Sequence, residues 1–223
     1  MKTTQVLILV ISAVLAIPKS AHGQKSIFHI SIQGSWDKEK QKDRAQYGGD
    51  NRLINTYFAS FRTDFLKFGQ DANGIGSISF KVSSEGKVDS LVIIEKVGGT
   101  WDSTFYYLLK STSGKWRAGQ VDGVKKNESL TIWYNIYNGP KLKKDLSEYL
   151  EESRKSVEKA DYEKALKNID LALEYDALNI EALILKTKSL YNLNQKEKAC
   201  DFIKSTLKYE NEKLNNASKE LCN

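Results

Sequence analysis

The chain has 223 residues, 34 basic against 28 acidic side chains and a formal charge of +6. That length suits one or two domains, and no concentrated basic tract of the kind a nucleic-acid binder lays along one face is present, so a nucleic-acid partner is not expected. The only histidines are His22 and His29 and the only cysteines Cys200 and Cys222, too few for a cysteine-only zinc site.

Lys2 gives the N-terminus a basic start, Val6 to Ile17 is an almost unbroken apolar run, and Ala21-His22-Gly23 is a small-x-small ending. This is the layout of a cleaved secretory signal. The run is about 12 residues, whereas crossing a bilayer takes ~20. The alternative is an uncleaved anchor. Residues 1–23 are read as the signal, cleaved after Gly23, and the mature chain as a soluble periplasmic protein without stable membrane insertion. Lys2 and Lys19 leave with the signal and no acid does, so the mature charge is +4. Only His29 then remains, which excludes any mechanism or metal site needing two histidines.

Residues 24–46 read as an arm. Phe28, Ile30 and Ile32 alternate with His29 and Ser31, the pattern of a short edge strand. The mixed-sign run from Lys38 to Arg44 reads as solvated coil or a frayed helix. From Gly48-Gly49-Asp50 the pattern becomes helical, with Asp50 as N-cap and Leu53, Ile54, Tyr57, Phe58 and Phe61 at helical spacing.

A hairpin follows. Ile78, Phe80 and Val82 share one parity of a half-buried strand, Ser83-Ser84-Glu85-Gly86 is the turn, and Val88 to Val97 returns. Leu91 to Ile94 is apolar on both parities, which calls for a bulge or a strand covered on both faces. After Gly98-Gly99, Thr100 or Asp102 caps a helix with Trp101, Phe105, Leu108 and Thr112 in one stripe, ended by Gly114. Lys115-Trp116 opens a polar loop through Asp122-Gly123. The last strand, Ser129 to Tyr137, places Leu130, Ile132, Tyr134 and Ile136 on one side and Thr131, Trp133, Asn135 and Tyr137 on the other. Helix, hairpin, helix and strand make an α+β unit: a three-stranded antiparallel sheet backed by helices.

Tyr47-Gly48-Gly49 ahead of a helix and Gly76-x-Ile78-x-Phe80-x-Val82, with Gly86 four residues on, carry a family pattern. So do the Asp102 helix leading to Lys115-Trp116, the Asp122-Gly123 turn and the final aromatic strand. In this order they resemble the C-terminal domain of TonB, over roughly residues 45 to 138; the domain is set at 47–138. The resemblance implies a periplasmic domain that binds a short, extended segment of an outer-membrane receptor by strand addition. It also implies a link to TonB-type outer-membrane transport. Energy transducers of that family have a membrane anchor and a long, often proline-rich spacer; this chain has two prolines, Pro18 and Pro140.

The strand from Ser129 to Tyr137 is expected at an edge, because a right-handed crossover carries it over the first hairpin strand to that strand's far side. Its outward residues, Thr131, Trp133, Asn135 and Tyr137, are the candidate partner-binding set. The plainer reading of Trp133 and Tyr137 is ordinary sheet and core packing.

Asn138-Gly139-Pro140 marks the boundary to a helical part, residues 141–223, with 16 basic and 16 acidic residues. Asp161-Tyr162-Glu163-Lys164-Ala165-Leu166 followed by Ala172-Leu173 resembles the second helix of a tetratricopeptide repeat. A shift of 34 residues carries Ala165 to Ala199, Leu166 to Cys200, Ile169 to Ile203 and Tyr149 to Leu183. The expectation is an all-α pair of tetratricopeptide-like hairpins, with 211–223 as a cap through Leu214 and Leu221 and a second protein partner at the repeats. A plain helical bundle is the alternative. In an exported chain Cys200 and Cys222 read as a disulfide; otherwise Cys200 is a small buried apolar residue.

No nucleophile elbow, phosphate loop or metal-ligand spacing is found, and Gly74-x-Gly76 precedes a strand, not a helix. The expected function is therefore an exported protein-interaction module without catalytic residues, cofactor or metal. The alternative is an assembly subunit or scaffold of an envelope complex. Intact-mass measurement of protein taken from the periplasm should place the first residue at Gln24; Met1 retained in a membrane fraction would contradict the signal.

Overall fold

The computed structural model describes residues 26–34, 45–47, 73–140, 143–209 and 211–222. The signal at 1–23 and the helix expected from Asp50 lie outside the described residues. In chain order the elements begin with β1 (Ser26–Gly34), β2 (Gln46–Tyr47), β3 (Gly74–Val82) and β4 (Val88–Glu95). Next come α1 (Trp101–Ser111), β5 (Trp116–Arg117), β6 (Gly119–Val121), β7 (Val124–Lys126) and β8 (Glu128–Pro140). The helical part has α2 (Leu146–Glu158), α3 (Tyr162–Tyr175), α4 (Ile180–Asn192), α5 (Lys196–Thr206), a 3-10 turn (Leu207–Tyr209) and α6 (Glu212–Cys222). The chain is α+β.

The three expected strands, β3, β4 and β8, form one antiparallel sheet, and β1 adds a fourth, in the order β1-β8-β3-β4. The hairpin turn closes through Gly86 N–H to Ser83 O at 2.9 Å, with Gly86 at φ +79°. β8 lies beside β3 on the side away from β4, as the crossover argument requires, with Ile78 opposite Ile132 and Gly76 opposite Tyr134. It is not an edge, however. β1 pairs along it from Ser26↔Pro140 to Gly34↔Ile132. The expectation of an open β8 edge is thus corrected: the arm that reads as a short strand fills it, because its backbone pairs there over nine consecutive residues.

The apolar run in β4 resolves as bulges. Ser79 faces Val92 but Lys81 faces Asp89, and Ser77 faces Glu95 but Ile78 faces Ile93, so β4 has one residue too many in each interval. Ser90 takes a φ of +50° at the first bulge. Leu91 and Ile93 pack on the core below, while Val92 and Ile94 stay 53% and 57% exposed. The segment read as a polar loop after α1 contains short strands: β5 pairs with β2, and β6 with β7 around Asp122-Gly123.

One sheet face packs on α1. Trp101, Phe105, Leu108 and Leu109 meet Ile78, Phe80, Leu130, Ile132, Tyr134 and Ile136. Fully burying such a side chain contributes about 1.5–3 kcal/mol. Asp102 is not a helix cap. Its carboxylate turns back to accept Val97 N–H and Gly98 N–H at 3.0 and 3.1 Å, and the Tyr134 hydroxyl at 2.6 Å. The Tyr134 ring stacks on Phe105, with centroids 4.0 Å apart, and covers Gly76.

The helices repeat at 34 residues. α2 and α4 begin and end 34 apart, and so do the starts of α3 and α5. Ser153 Oγ donates to Tyr149 O at 2.7 Å, and Thr187 Oγ1 to Leu183 O at 2.9 Å. Ala160 and Asn194 end their helices in the left-handed region, at φ +56° and +59°. Ala165, Ile169, Ala199 and Ile203 are all fully buried. Asp145 starts α2 with a reciprocal pair of bonds to Glu148, a cap worth ~1 kcal/mol. α6 closes the array through Leu214, which is buried; Leu221 is half-buried.

A Cβ on Gly76 would overlap the Tyr134 ring. Gly76→Ala should cost about 1–3 kcal/mol by overpacking, read as a lower urea midpoint at unchanged slope.

Candidate functional site

β8 carries all four candidate residues, and the structure buries three of them. Trp133, Asn135 and Tyr137 are 6%, 3% and 6% exposed, and Thr131 is half-buried. They do share a face, opposite α1, but the helical part covers it. Thr131 lies opposite Ser79. Tyr209 meets Trp133 edge-on, centroids 5.2 Å apart, and the Lys208 ammonium sits 4.8 Å above the same ring. Leu178, Leu183, Ile203, Leu214 and Ala217 complete that cluster, with Ile75 of β3 against it. Asn135 Nδ2–H donates to Tyr175 O at 3.4 Å, and Tyr137 stacks on Tyr175 at 5.1 Å. The face expected to meet an incoming peptide instead binds the chain's own repeats.

Lys208 also reaches Glu95 Oε1 at 3.1 Å, tying the turn before α6 to the far strand of the sheet. Both side chains are substantially exposed, so this ion pair contributes little, under ~1 kcal/mol. The attachment of helices to sheet rests on the aromatic contacts.

The backbone edge is the other part of the site. Along β8, nine residues pair with β1 on one side and nine with β3 on the other. β1 precedes β8 by about a hundred residues, and its described pairing is to β8 alone. The edge the sequence pointed to therefore takes an added strand, which is the chain's own arm.

Other surfaces offer less. An open depression of about 480 Å³ along α2 is lined by Ser147, Glu148, Glu151, Glu152, Arg154 and Lys155. Most of its charges are in ion pairs, Arg154 with Glu151 and Glu181, Lys144 with Glu152 and Lys155 with Glu151, while Glu148 accepts Asp145 N–H. Among the described residues no three His, Cys, Asp or Glu side chains converge as metal ligands, and no helix is long and apolar enough to cross a membrane. Cys200 and Cys222 are joined in a disulfide, as the sequence suggested.

No protein-family model matches the chain, and no curated protein matches it either.

Burial raises the phenols on both faces of β8. Tyr137 is pushed up to about 12, by burial first and then by Glu174. Tyr209 is also pushed up to about 12, by burial and then Glu95. Tyr134 is raised by burial and by its bond to Asp102. A phenol whose folded pKa lies above its unfolded value stabilises fully below the unfolded value, and that contribution is lost as pH rises toward the folded one. The urea midpoint should hold up to about pH 10, the free-tyrosine range, and fall from there to pH 12. Tyr209→Phe should flatten the fall; a midpoint independent of pH across this window would contradict the assignment.

Proposed function

We propose that the chain is an exported protein-interaction module that binds an extended segment of another envelope protein by strand addition along the outer edge of β8. The observation that carries this reading is the β1–β8 ladder. Nine consecutive residues pair there in antiparallel register, from Ser26↔Pro140 to Gly34↔Ile132. An edge that accepts one strand through backbone bonds has the geometry to accept another, with side-chain pockets setting selectivity. A partner segment would take the place of β1. The resemblance of residues 47–138 to the TonB C-terminal domain extends the reading to a segment of an outer-membrane protein and a periplasmic setting. The tetratricopeptide-like pair braces the opposite face of the same strand.

A second reading, an assembly subunit or scaffold of an envelope complex, draws on Val92 and Ile94, which lie exposed on the outermost strand. That reading would place the partner on β4 and leave β1 in its position.

The test removes residues 24–34 and adds back a synthetic peptide of Ser26–Gly34. Circular dichroism first confirms that the shortened chain is folded. Calorimetry should then show one-to-one binding of the peptide. A peptide with proline at both Phe28 and His29 loses one ladder donor whichever parity faces β8, and should bind at least about tenfold more weakly, a loss of ~1.4 kcal/mol. A folded, shortened chain that ignores the parent peptide would sink the reading.

A further inference from the structure

The two faces of β8 are closed in different ways. On the α1 face the large buried side chains have their polar atoms paired. Tyr134 donates to Asp102, and Trp116 Nε1–H donates to Thr112 Oγ1 at 2.9 Å. On the opposite face Trp133 Nε1 and Ser77 Oγ are buried with no hydrogen-bond partner among the described residues. They are cross-strand neighbours, directly opposite in the β3–β8 register. The cover over this pair thus removes two polar groups from water without replacing their bonds, and uncovering them restores hydration.

That cover is largely one closed loop. The disulfide joins Cys200 in α5 to Cys222 in the last turn of α6, 22 residues apart in sequence. Within the loop lie Ile203, Tyr209, Leu214 and Ala217, four of the six buried residues grouped around Trp133, and Lys208 above its ring. α6 has only 11 residues, a length marginal for a helix without tertiary support. Just two of its side chains, Leu214 and Ala217, are buried. Both cysteines are only half-buried.

We propose that the Cys200–Cys222 disulfide is a redox latch. Exchange with a dithiol reductant frees α6 from the two helices it packs on and the preceding 3-10 turn from Trp133, exposing Trp133 and Ser77 while the α1 side stays folded. A thiolate of the reductant attacks one cysteine sulfur, the protein S–S bond breaks, and the other cysteine leaves as a thiolate that takes up a proton. The second thiol of the reductant then resolves the mixed disulfide. The chain gains two electrons and two protons as two thiols, and the reductant departs as its own disulfide. This goes beyond strand addition, since it concerns the opposite surface of β8 and needs no peptide.

Hydrogen exchange read by mass spectrometry tests it on the full mature chain, oxidised, reduced in place with dithiothreitol, and as Cys200→Ser/Cys222→Ser. In the reduced and serine forms, amides from 207 to 222 should exchange about tenfold faster or more. Those of β3 and α1 should keep their oxidised-state rates. Acrylamide should quench an additional share of tryptophan fluorescence, and Trp133→Phe should abolish that increment. Unchanged exchange at 207–222 on reduction would overturn the proposal. So would loss of protection in α1 as well, which would make the bond a staple of the whole fold. Leu214→Ala in the oxidised chain separates the bond from the packing. It should leave 207–222 more protected than in the reduced parent; equal exposure in the two would likewise overturn the latch.

Discussion

From Ile132 to Tyr137 no side chain of β8 reaches freely into water. A strand in that position must supply two cores at once, with successive residues pointing to opposite faces. Ile132, Tyr134 and Ile136 go to α1, while Trp133, Asn135 and Tyr137 go to the helical repeats. The rest of the architecture adapts to this. Gly76 is small because the Tyr134 ring lies over it, Asp102 turns out of the helix axis to hold that ring's hydroxyl, and the turn after α5 brings Tyr209 and Lys208 down onto Trp133. A one-residue slip of β8 would exchange the two sets and empty both cores.

The helical half shows what a repeat does for a short sequence. Each 34-residue hairpin buries small residues where helices approach, Ala165 and Ala199, and each uses a hydroxyl at the same place, Ser153 and Thr187, to return a bond to the preceding turn. Two such units leave an apolar end that three or more would ordinarily cover by stacking. Here α6 covers one part, and the sheet covers another through Trp133 and Tyr137. The repeat pair and the sheet are therefore each other's caps.

Much of this was legible in the sequence because it depends on local pattern. The hairpin turn at Gly86, the stripe on α1 and the 34-residue period follow from residue types at fixed spacing, and the cysteine pairing from there being two cysteines in a chain read as exported. What could not be read was which apolar strand is central. Leu91 to Ile94 is apolar on both parities, whereas Leu130 to Tyr137 alternates apolar residues with the mixed set Thr131, Trp133, Asn135 and Tyr137. One is a bulged outer strand with Val92 and Ile94 in solvent, and the other is covered on both faces. The distinction lies in two long-range pairings, β1 with β8 and the repeats with Trp133, and neither leaves a local mark. Trp133 and Tyr137 of the candidate set follow the plainer reading, ordinary sheet and core packing, and not that of an open face. Of the two cap candidates, Thr100 is the N-cap residue. The Asp102 carboxylate instead holds Tyr134, a partner 32 residues away.

The two bulges in β4 have a consequence for stoichiometry. A strand laid along a regular edge presents its own regular edge to the next, so addition can continue into a fibril. At β4 the spacing of outward donors and acceptors is broken twice, at Ser90 and again by Ile94. Any strand placed there loses register within a few residues. Regular strand addition from the β4 side is therefore blocked, which leaves the β1 side as the one flank of this sheet along which a further strand could be laid in register.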